Sequence, residues 1–456
     1  MLGVEGLRLG AGDWFLDLFT GEAERLLEQG PWGRGGRVEE LVEPYWWVPG
    51  LPEASVEPPT VAAVDGGGAL VPLQGGGALY IARAYGYVEG GEPERVLELR
   101  YYPVRETVVL DALRSWLEHR AATRLVLRLP PGSVLLMDGS LWVTVTVSLS
   151  ALARLARGAV QGPGGVYAGV LSAYTLAEVA QLAEAAGRRG VLVAYVSKDH
   201  GFRALKEKLL LDRVAGLEPR LGPLVEAALE WYPLPPRARI RLLESRGLLQ
   251  GAALRLLDAA LDPSYRDPSF IDEVAGQGQG YSWLLRLPPP QRVHRVLARL
   301  GARGLVEAAA ERAEQLLPPG EREAHELRDQ AGRVAAAVDQ LPAPLLQYMR
   351  PAPGDPLLLV EHPGPVGGYH SPGRVLQEPR GSVLEALAAI VSGYAGPEYY
   401  NIPLIAAHLN ATLSSRQLGN YLRLLESLAA ARGVSLGLAR RASMARRLAR
   451  RRRRRL

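Results

Sequence analysis

The amino-acid sequence predicts an α/β protein built on a mixed sheet, and three observations carry that prediction. Two apolar runs end in Asp-Gly, Val61-Ala-Ala-Val-Asp65-Gly66-Gly67 and Val134-Leu-Leu-Met-Asp138-Gly139-Ser140. Between them lie two strand-like runs, 78–88 and 96–104, separated by Gly-rich or acidic turns. A helical period follows from Thr107 to Ala122, with Val109, Leu110, Leu113, Trp116 and Leu117 on one face.

Each element follows in order. Val61–Asp65 opens a three-strand antiparallel meander. The Thr107–Ala122 helix leads to a strand at Ser133–Asp138. A helix over Tyr174–Ala186 then precedes an apolar strand, Val191–Val196, which runs into Ser197-Lys198-Asp199-His200. The order is β-β-β-α-β-α-β, and helical crossovers within one sheet must be right-handed. The ribonuclease H-like arrangement satisfies this, with the first strand beside the fourth and the fifth outside the fourth. It brings Asp65, Asp138 and the Lys198 loop to one sheet edge, where ligands bind in open α/β sheets.

The chain is long enough for two or three domains, or for one domain with a large insertion: it has 456 residues. Residues 1–59 form a mixed N-terminal segment with a helical patch (Trp14–Leu27) and aromatics at Tyr45, Trp46 and Trp47. It is a candidate dimer or partner contact. Residues 60–205 are the first part of the sheet core. Residues 206–350 turn to Ala, Leu, Arg and Glu, with Pro-rich breaks at 233–236, 288–290 and 318–319, and read as a helical insertion. Residues 351–435 complete the core with strands near 357–362 and 374–377 and three C-terminal helices. Residues 436–456 are an Arg-rich tail.

Composition narrows the chemistry. Hydrophobic content of 48% with 22% charged residues is that of a soluble globular protein, and the apolar runs fall short of a membrane span. The N-terminus lacks the pattern of a signal peptide. There is no cysteine, so disulfides and thiolate metal sites are excluded and Asp, Glu and His remain as ligands. A cytoplasmic location fits. Ten arginines lie between Arg440 and Arg455; the remaining chain has 43 basic against 48 acidic residues. The formal net charge of +5 is therefore a property of the tail, which offers phosphate contacts. Only three lysines occur, Lys198, Lys206 and Lys208, so a lysine here marks a place where an ammonium is needed. The Arg bias fits either a thermophile or GC-rich coding.

Two carboxylates at neighbouring strand ends make an oxygen-ligand site for a divalent cation, whereas Asp-Gly alone makes good turns. Glu118 extends the acidic set from the helix, with Glu106 and Asp111 as competitors. It also reads as an ordinary helix-edge ion pair with Arg114. Lys198 follows a buried strand at the same edge. His408 lies beside Leu404 and Ile405, where a lone histidine is commonly core. His200 and His362 are weaker candidates. The glycines 66–68 and 75–77 can cradle phosphate or make hairpins. They motivate a rival reading, an ATP-dependent phosphotransferase of the actin and sugar-kinase superfold. A third is a non-catalytic DNA-binding adaptor.

With Ala63-Val-Asp65-Gly66-Gly, Arg114-Ser-Trp-Leu-Glu118, Leu135-Leu-Met-Asp138-Gly139-Ser140, Tyr195-Val-Ser-Lys198 and Asn401-Ile-Pro403-Leu-Ile-Ala-Ala-His408 in that order, the chain resembles the NurA nuclease family. The resemblance covers most of 60–200 and 355–430; the insertion and tail have no matched counterpart. It implies a deoxyribonuclease activated by manganese, with magnesium as the alternative ion, hydrolysing phosphodiester bonds in single- and double-stranded DNA. The implied action is 5′-to-3′ exonucleolytic with single-strand endonuclease activity. A homodimer working with the hexameric HerA translocase in end resection is implied as well. The catalytic set it implies is Asp65, Glu118, Asp138, Lys198 and His408, with Asp65, Asp138 and His408 on the metal.

Overall fold

The structure is a computed structural model, and it describes residues 19, 22–25, 38–53, 59–198 and 201–438. His200, the Arg-rich stretch from 439 and most of the Trp14–Leu27 patch lie outside the described residues.

One sheet organises the chain. The meander is β2 (Val61–Pro72), β3 (Ala78–Val88) and β4 (Glu94–Tyr102), after a short β1 (Trp47–Pro49). Then come α1 (Thr107–Val126), β5 (Val134–Asp138), α2 (Leu141–Ala156), α3 (Gly162–Arg189) and β6 (Leu192–Ser197). These five core strands lie in the order β4-β3-β2-β5-β6. β2 pairs antiparallel with β3 but parallel with β5, and β5 is parallel to β6. This is the mixed sheet expected from spacing.

Three departures have physical causes. Asp65 does not end its strand. β2 continues through Gly66-Gly67-Gly68 to Pro72, in register with β3 (Gly66↔Ala84, Gly68↔Ala82), so these glycines are strand, not a phosphate loop. The turn falls at the later cluster, where Gly76 and Gly77 have φ of 103° and 64°. Second, α2 occupies the Val/Thr-rich run Leu141-Trp-Val-Thr-Val-Thr-Val, whose β-branched residues disfavour helix. Burial of Leu141, Val145, Leu149 and Leu152 overrides propensity, and the Ser140 side chain caps the helix by accepting from Val143 N at 3.1 Å. That cap stabilises it by about 1 kcal/mol. Third, the insertion is not purely helical.

Its helices are α4 (Ala204–Leu217), α5 (Gly222–Leu229), α6 (Pro236–Ser245), α7 (Gly251–Leu261), α8 (Asp267–Val274), α9 (Gln291–Leu316), α10 (Arg322–Asp329) and α11 (Ala331–Asp339). Between and after them β7 (Gly280–Ser282), β8 (Leu284–Arg286) and β9 (Pro344–Arg350) join the main sheet. β10 (Leu358–Pro363) pairs with both β9 and β6, so the order runs on as β6-β10-β9-β7-β1. β11 (Val375–Gln377) pairs with β8. The chain closes with α12 (Ser382–Ser392), α13 (Ile402–Ala411) and α14 (Ser415–Ala430).

The two sheet faces are covered differently. Ala62 and Val64 pack under α1 and α3, while Ala63 and Val61 pack under α12 and α13. A third core gathers α4, α7 and α8 around Trp46, Trp142 and Tyr348. Trp46 is fully buried and stacks on Phe270 at 5.5 Å, so this aromatic is spent inside. Among the described residues no helix is long and apolar enough to cross a membrane.

Lys206 shows what one of the scarce lysines does. It is fully buried, and its ammonium donates to the carbonyls of Ala259 (3.0 Å), Asp262 (2.9 Å) and Tyr265 (2.5 Å). Three donors meet three acceptors, a match a guanidinium fork does not make. Burial pushes the ammonium down to about 8. Lys206→Leu should leave three buried acceptors unsatisfied and cost about 3 kcal/mol in urea unfolding. Lys208→Ala, which loses only a surface pair with Asp212, should cost less than about 1 kcal/mol.

Candidate metal centre

Alternation along β2 decides which way each residue of the motif points. Ala63 and Asp65 face α13, whereas Val64 and Gly66 face α1. Asp65 therefore meets a helix that arrives some 340 residues later. His408 on α13 donates from Nδ1 to Asp65 Oδ2 at 2.6 Å, and Gly66 N donates to Asp65 Oδ1 at 2.6 Å. Asp138 ends β5, parallel to and beside β2, where Gly139 (φ 102°) turns the chain. Asp65, Asp138 and His408 can each offer one ligand atom with all three within 4.8 Å of one another.

The two glycines after Asp65 make the approach possible. A Cβ at Gly67 would run into the Ala411 carbonyl at the end of α13. A Cβ at Gly66 would strike the Glu118 carboxylate, which reaches the cluster from the opposite face. Glu118 is held by Arg114 Nε at 3.3 Å. It is not one of the tight trio. Burial first, then the charges of Asp65 and Asp138, push its carboxyl up to about 8 against the pull of Arg114. Asp138 is raised too, by desolvation first and by Asp65 next. Carboxylates crowded in this way favour a cation among them.

Lys198, just beyond β6, puts its ammonium 4.9 Å from the centre of the Tyr400 ring, and its charge acts on Asp138. Thus Asp65, Asp138 and His408 come together, with Glu118 and Lys198 at the margins. Glu106 lies against Gly164 at the start of α3, and Asp111 is exposed on α1; neither belongs to the trio. His362 is a core residue on β10, lowered to about 4 by burial.

Sequence reasoning missed Tyr400. Its hydroxyl donates to Asp138 Oδ1 at 3.1 Å, and burial with the Asp138 charge raises its pKa. Among the described residues it is the one non-glycine with positive φ, 34°. That backbone costs roughly 1–3 kcal/mol. Its neighbour holds it: buried Asn401 caps α13 by accepting from Leu404 N and donates to Ile390 O. The signal was adjacent to the Asn401–His408 motif, where an aromatic directly precedes a helix cap.

A ribonuclease H-like sheet carrying two carboxylates and an imidazole within one ligand sphere defines a protein with a candidate divalent-metal centre. The NurA domain model matches residues 59–412, and the chain belongs to that family. Among solved structures it is similar to the NurA nuclease from Sulfolobus solfataricus, at 13% identity over 91% of this chain and 94% of that one, TM-score 0.43. It is also similar to NurA bound to dAMP and manganese, at 15% identity over 89% and 94%, TM-score 0.39. No match was found among curated proteins.

The two glycines should separate in their effects. Gly67→Ala pushes a methyl group against the backbone of Ala411 and should lower stability by about 2 kcal/mol or more in thermal unfolding. Gly66→Ala meets the side chains of Glu118 and Arg114 rather than backbone, and should change metal affinity by calorimetry while moving stability less.

The crowded carboxyls also set a pH dependence. Between 4.5 and about 8 the folded chain keeps a proton on Glu118 that the unfolded chain has lost, so stability falls as pH rises through that window. In EDTA the protein should be less stable at pH 8 than at pH 5.5, by on the order of 2 kcal/mol. A divalent cation should cancel the loss; thermal scans with and without the ion read both.

Proposed function

We propose that this protein is a metal-dependent DNA nuclease, activated by manganese with magnesium as the alternative ion. The observation that carries the reading is the Asp65–Asp138–His408 trio, within 4.8 Å, in a chain of the NurA family. The donor set fits: two carboxylate oxygens and an imidazole nitrogen suit manganese, and the raised Asp138 and Glu118 carboxyls gain from a cation's charge. A divalent ion bound there supplies Lewis acidity, neutralising charge on a phosphodiester and lowering the pKa of water.

The chain's own groups account for the rest. Asp65 and Asp138 bind and fix the centre, and Tyr400 holds one oxygen of Asp138 in place. Hydrolysis adds water across a P–O bond, so one proton leaves the attacking water and another is delivered to the departing oxygen. His408, oriented through Nδ1 by Asp65, has its second nitrogen for one of these transfers or for ligation. Glu118, protonated to about 8 without an ion, is a second proton-holding group beside them. Lys198 offers an ammonium to the phosphate oxygens.

The finer reading follows family membership: 5′-to-3′ exonuclease and single-strand endonuclease action on DNA ends, as a cytoplasmic homodimer with a HerA-type hexameric translocase in double-strand-break resection. End-labelled products read the polarity, and light scattering reads the dimer.

The decisive experiment incubates linear single- and double-stranded DNA with manganese, magnesium or EDTA. Manganese-dependent cleavage is expected, with a drop of at least about a hundredfold in Asp138→Ala and Asp65→Ala at nearly unchanged DNA binding. Full activity in both variants would refute the site. Wild type that binds metal and DNA but never cleaves, even with the translocase, would favour the adaptor.

A further inference from the structure

Beside the centre lies a hollow of about 460 Å³ that none of the preceding chemistry uses. Its position follows from strand register. Asp65 on β2 stands opposite Tyr85 on β3, and Tyr85 stands opposite Arg95 on β4. Residues directly opposite in antiparallel strands point to the same face, so Asp65, Tyr85 and Arg95 form one row. With strands about 4.8 Å apart, the row carries the α13 face of the sheet roughly 10 Å outward from the carboxylate. The next row contributes Arg83. From above, Asn410 on α13, two residues past His408, and Gln417 and Tyr421 on α14 complete the walls.

The chemistry of those walls is one-sided. They hold two arginines, two tyrosines and two amides, and among the described residues lining the hollow there is no carboxylate. Elsewhere arginines sit beside acids: Arg100 with Glu323, Arg120 with Glu98, Arg374 with Glu207. Arg83 is fixed in place, donating to the carbonyls of Ala411 and Thr412 at 2.7 Å and to Tyr421 Oη at 3.3 Å. Among the described residues no carboxylate pairs with it, and its bond to the hydroxyl orients the Tyr421 ring. Arg95 is exposed at the mouth. Fixed guanidinium charge alternating with aromatic faces matches a single nucleic-acid strand, whose phosphates take the cations and whose bases stack on the rings.

We propose that this hollow, between β3–β4 and α13–α14, is the track along which a single DNA strand reaches the Asp65–Asp138–His408 centre, with Arg95 and Arg83 on its phosphates and Tyr85 and Tyr421 on its bases. The proposal rests on the nuclease reading for its direction toward the centre. The hydrogen bonds from Arg83 to the end of α13 also place strand binding next to the helix that carries His408.

The test uses the full chain and a fluorescein-labelled oligothymidylate 12-mer, its binding followed by anisotropy in EDTA from about 50 to 200 mM salt. Arg95→Glu should weaken binding about tenfold and reduce the log–log salt slope by about 0.7. Tyr85→Ala and Tyr421→Ala should each weaken it at least about fivefold with the slope unchanged. Arg188→Glu, an equal charge change at the far end of α3, is the control and should do much less. With manganese, the same losses should fall on KM rather than kcat. Equal effects of Arg95→Glu and Arg188→Glu, with tyrosine variants binding like wild type, would overturn the track while leaving the nuclease standing. Wild type that binds with the expected dependence but cleaves nothing, even with the translocase, would instead overturn the nuclease reading and keep the hollow as a strand-binding site.

Discussion

The arrangement depends on the close approach of one helix end to the middle of one strand. The carbonyl of Ala411 occupies the space where a side chain at position 67 would stand, and Arg83 ties the same carbonyl to the neighbouring strand. Only a glycine permits that contact, and the contact sets His408 over Asp65. On the other face the same absence of bulk, one residue earlier, admits Glu118. A sheet is normally a partition, with chemistry on one side of it. Here three successive glycines thin the partition at the point where charges from both sides must feel one another.

Much of this was legible in the sequence. The succession of strands and helices followed from spacing and the sheet order from analogy to the ribonuclease H-like arrangement. Asp65 and Asp138 could be named from their strand-Asp-Gly signals, whereas His408 was named through the family resemblance. What escaped was set by tertiary context. The continuation of β2 through three glycines was hidden because glycine favours turns locally, while two neighbours, β3 and the helices, hold it extended. The helix α2 was hidden because its Val/Thr run has the composition of a strand, and a buried face decides otherwise. Tyr400 has no periodic signature: its importance comes from a backbone angle that only the Asn401 cap explains. The lysine argument holds at Lys206, whose ammonium meets three carbonyls, and does not hold at Lys208, which makes only a surface pair. Lys206 needs its ammonium for architecture, and Lys198 stands by the carboxylates.

Electrostatically the molecule separates two tasks. Two buried cations away from the centre are held by the chain: Lys206 by carbonyls, and Arg374 by Glu207 and the carbonyls of Ala204 and Trp231, with only its Nε left without a partner. Those groups hold helices to the sheet. The groups at the centre are deliberately unbalanced in comparison, with three carboxyls drawn together and one imidazole among them. Stability at the first place and charge frustration at the second are compatible because they lie in different cores of the same sheet.

The 343-residue separation between Asp65 and His408 has a consequence for synthesis. Both aspartates and Glu118 leave the ribosome within the first third of the chain, yet the tyrosine that steadies one of them and the histidine that meets the other arrive only after residue 399. A nascent or truncated chain therefore carries the acidic half of the centre without the rest. The order of residues along the polypeptide makes assembly of the trio wait for the helix that carries His408.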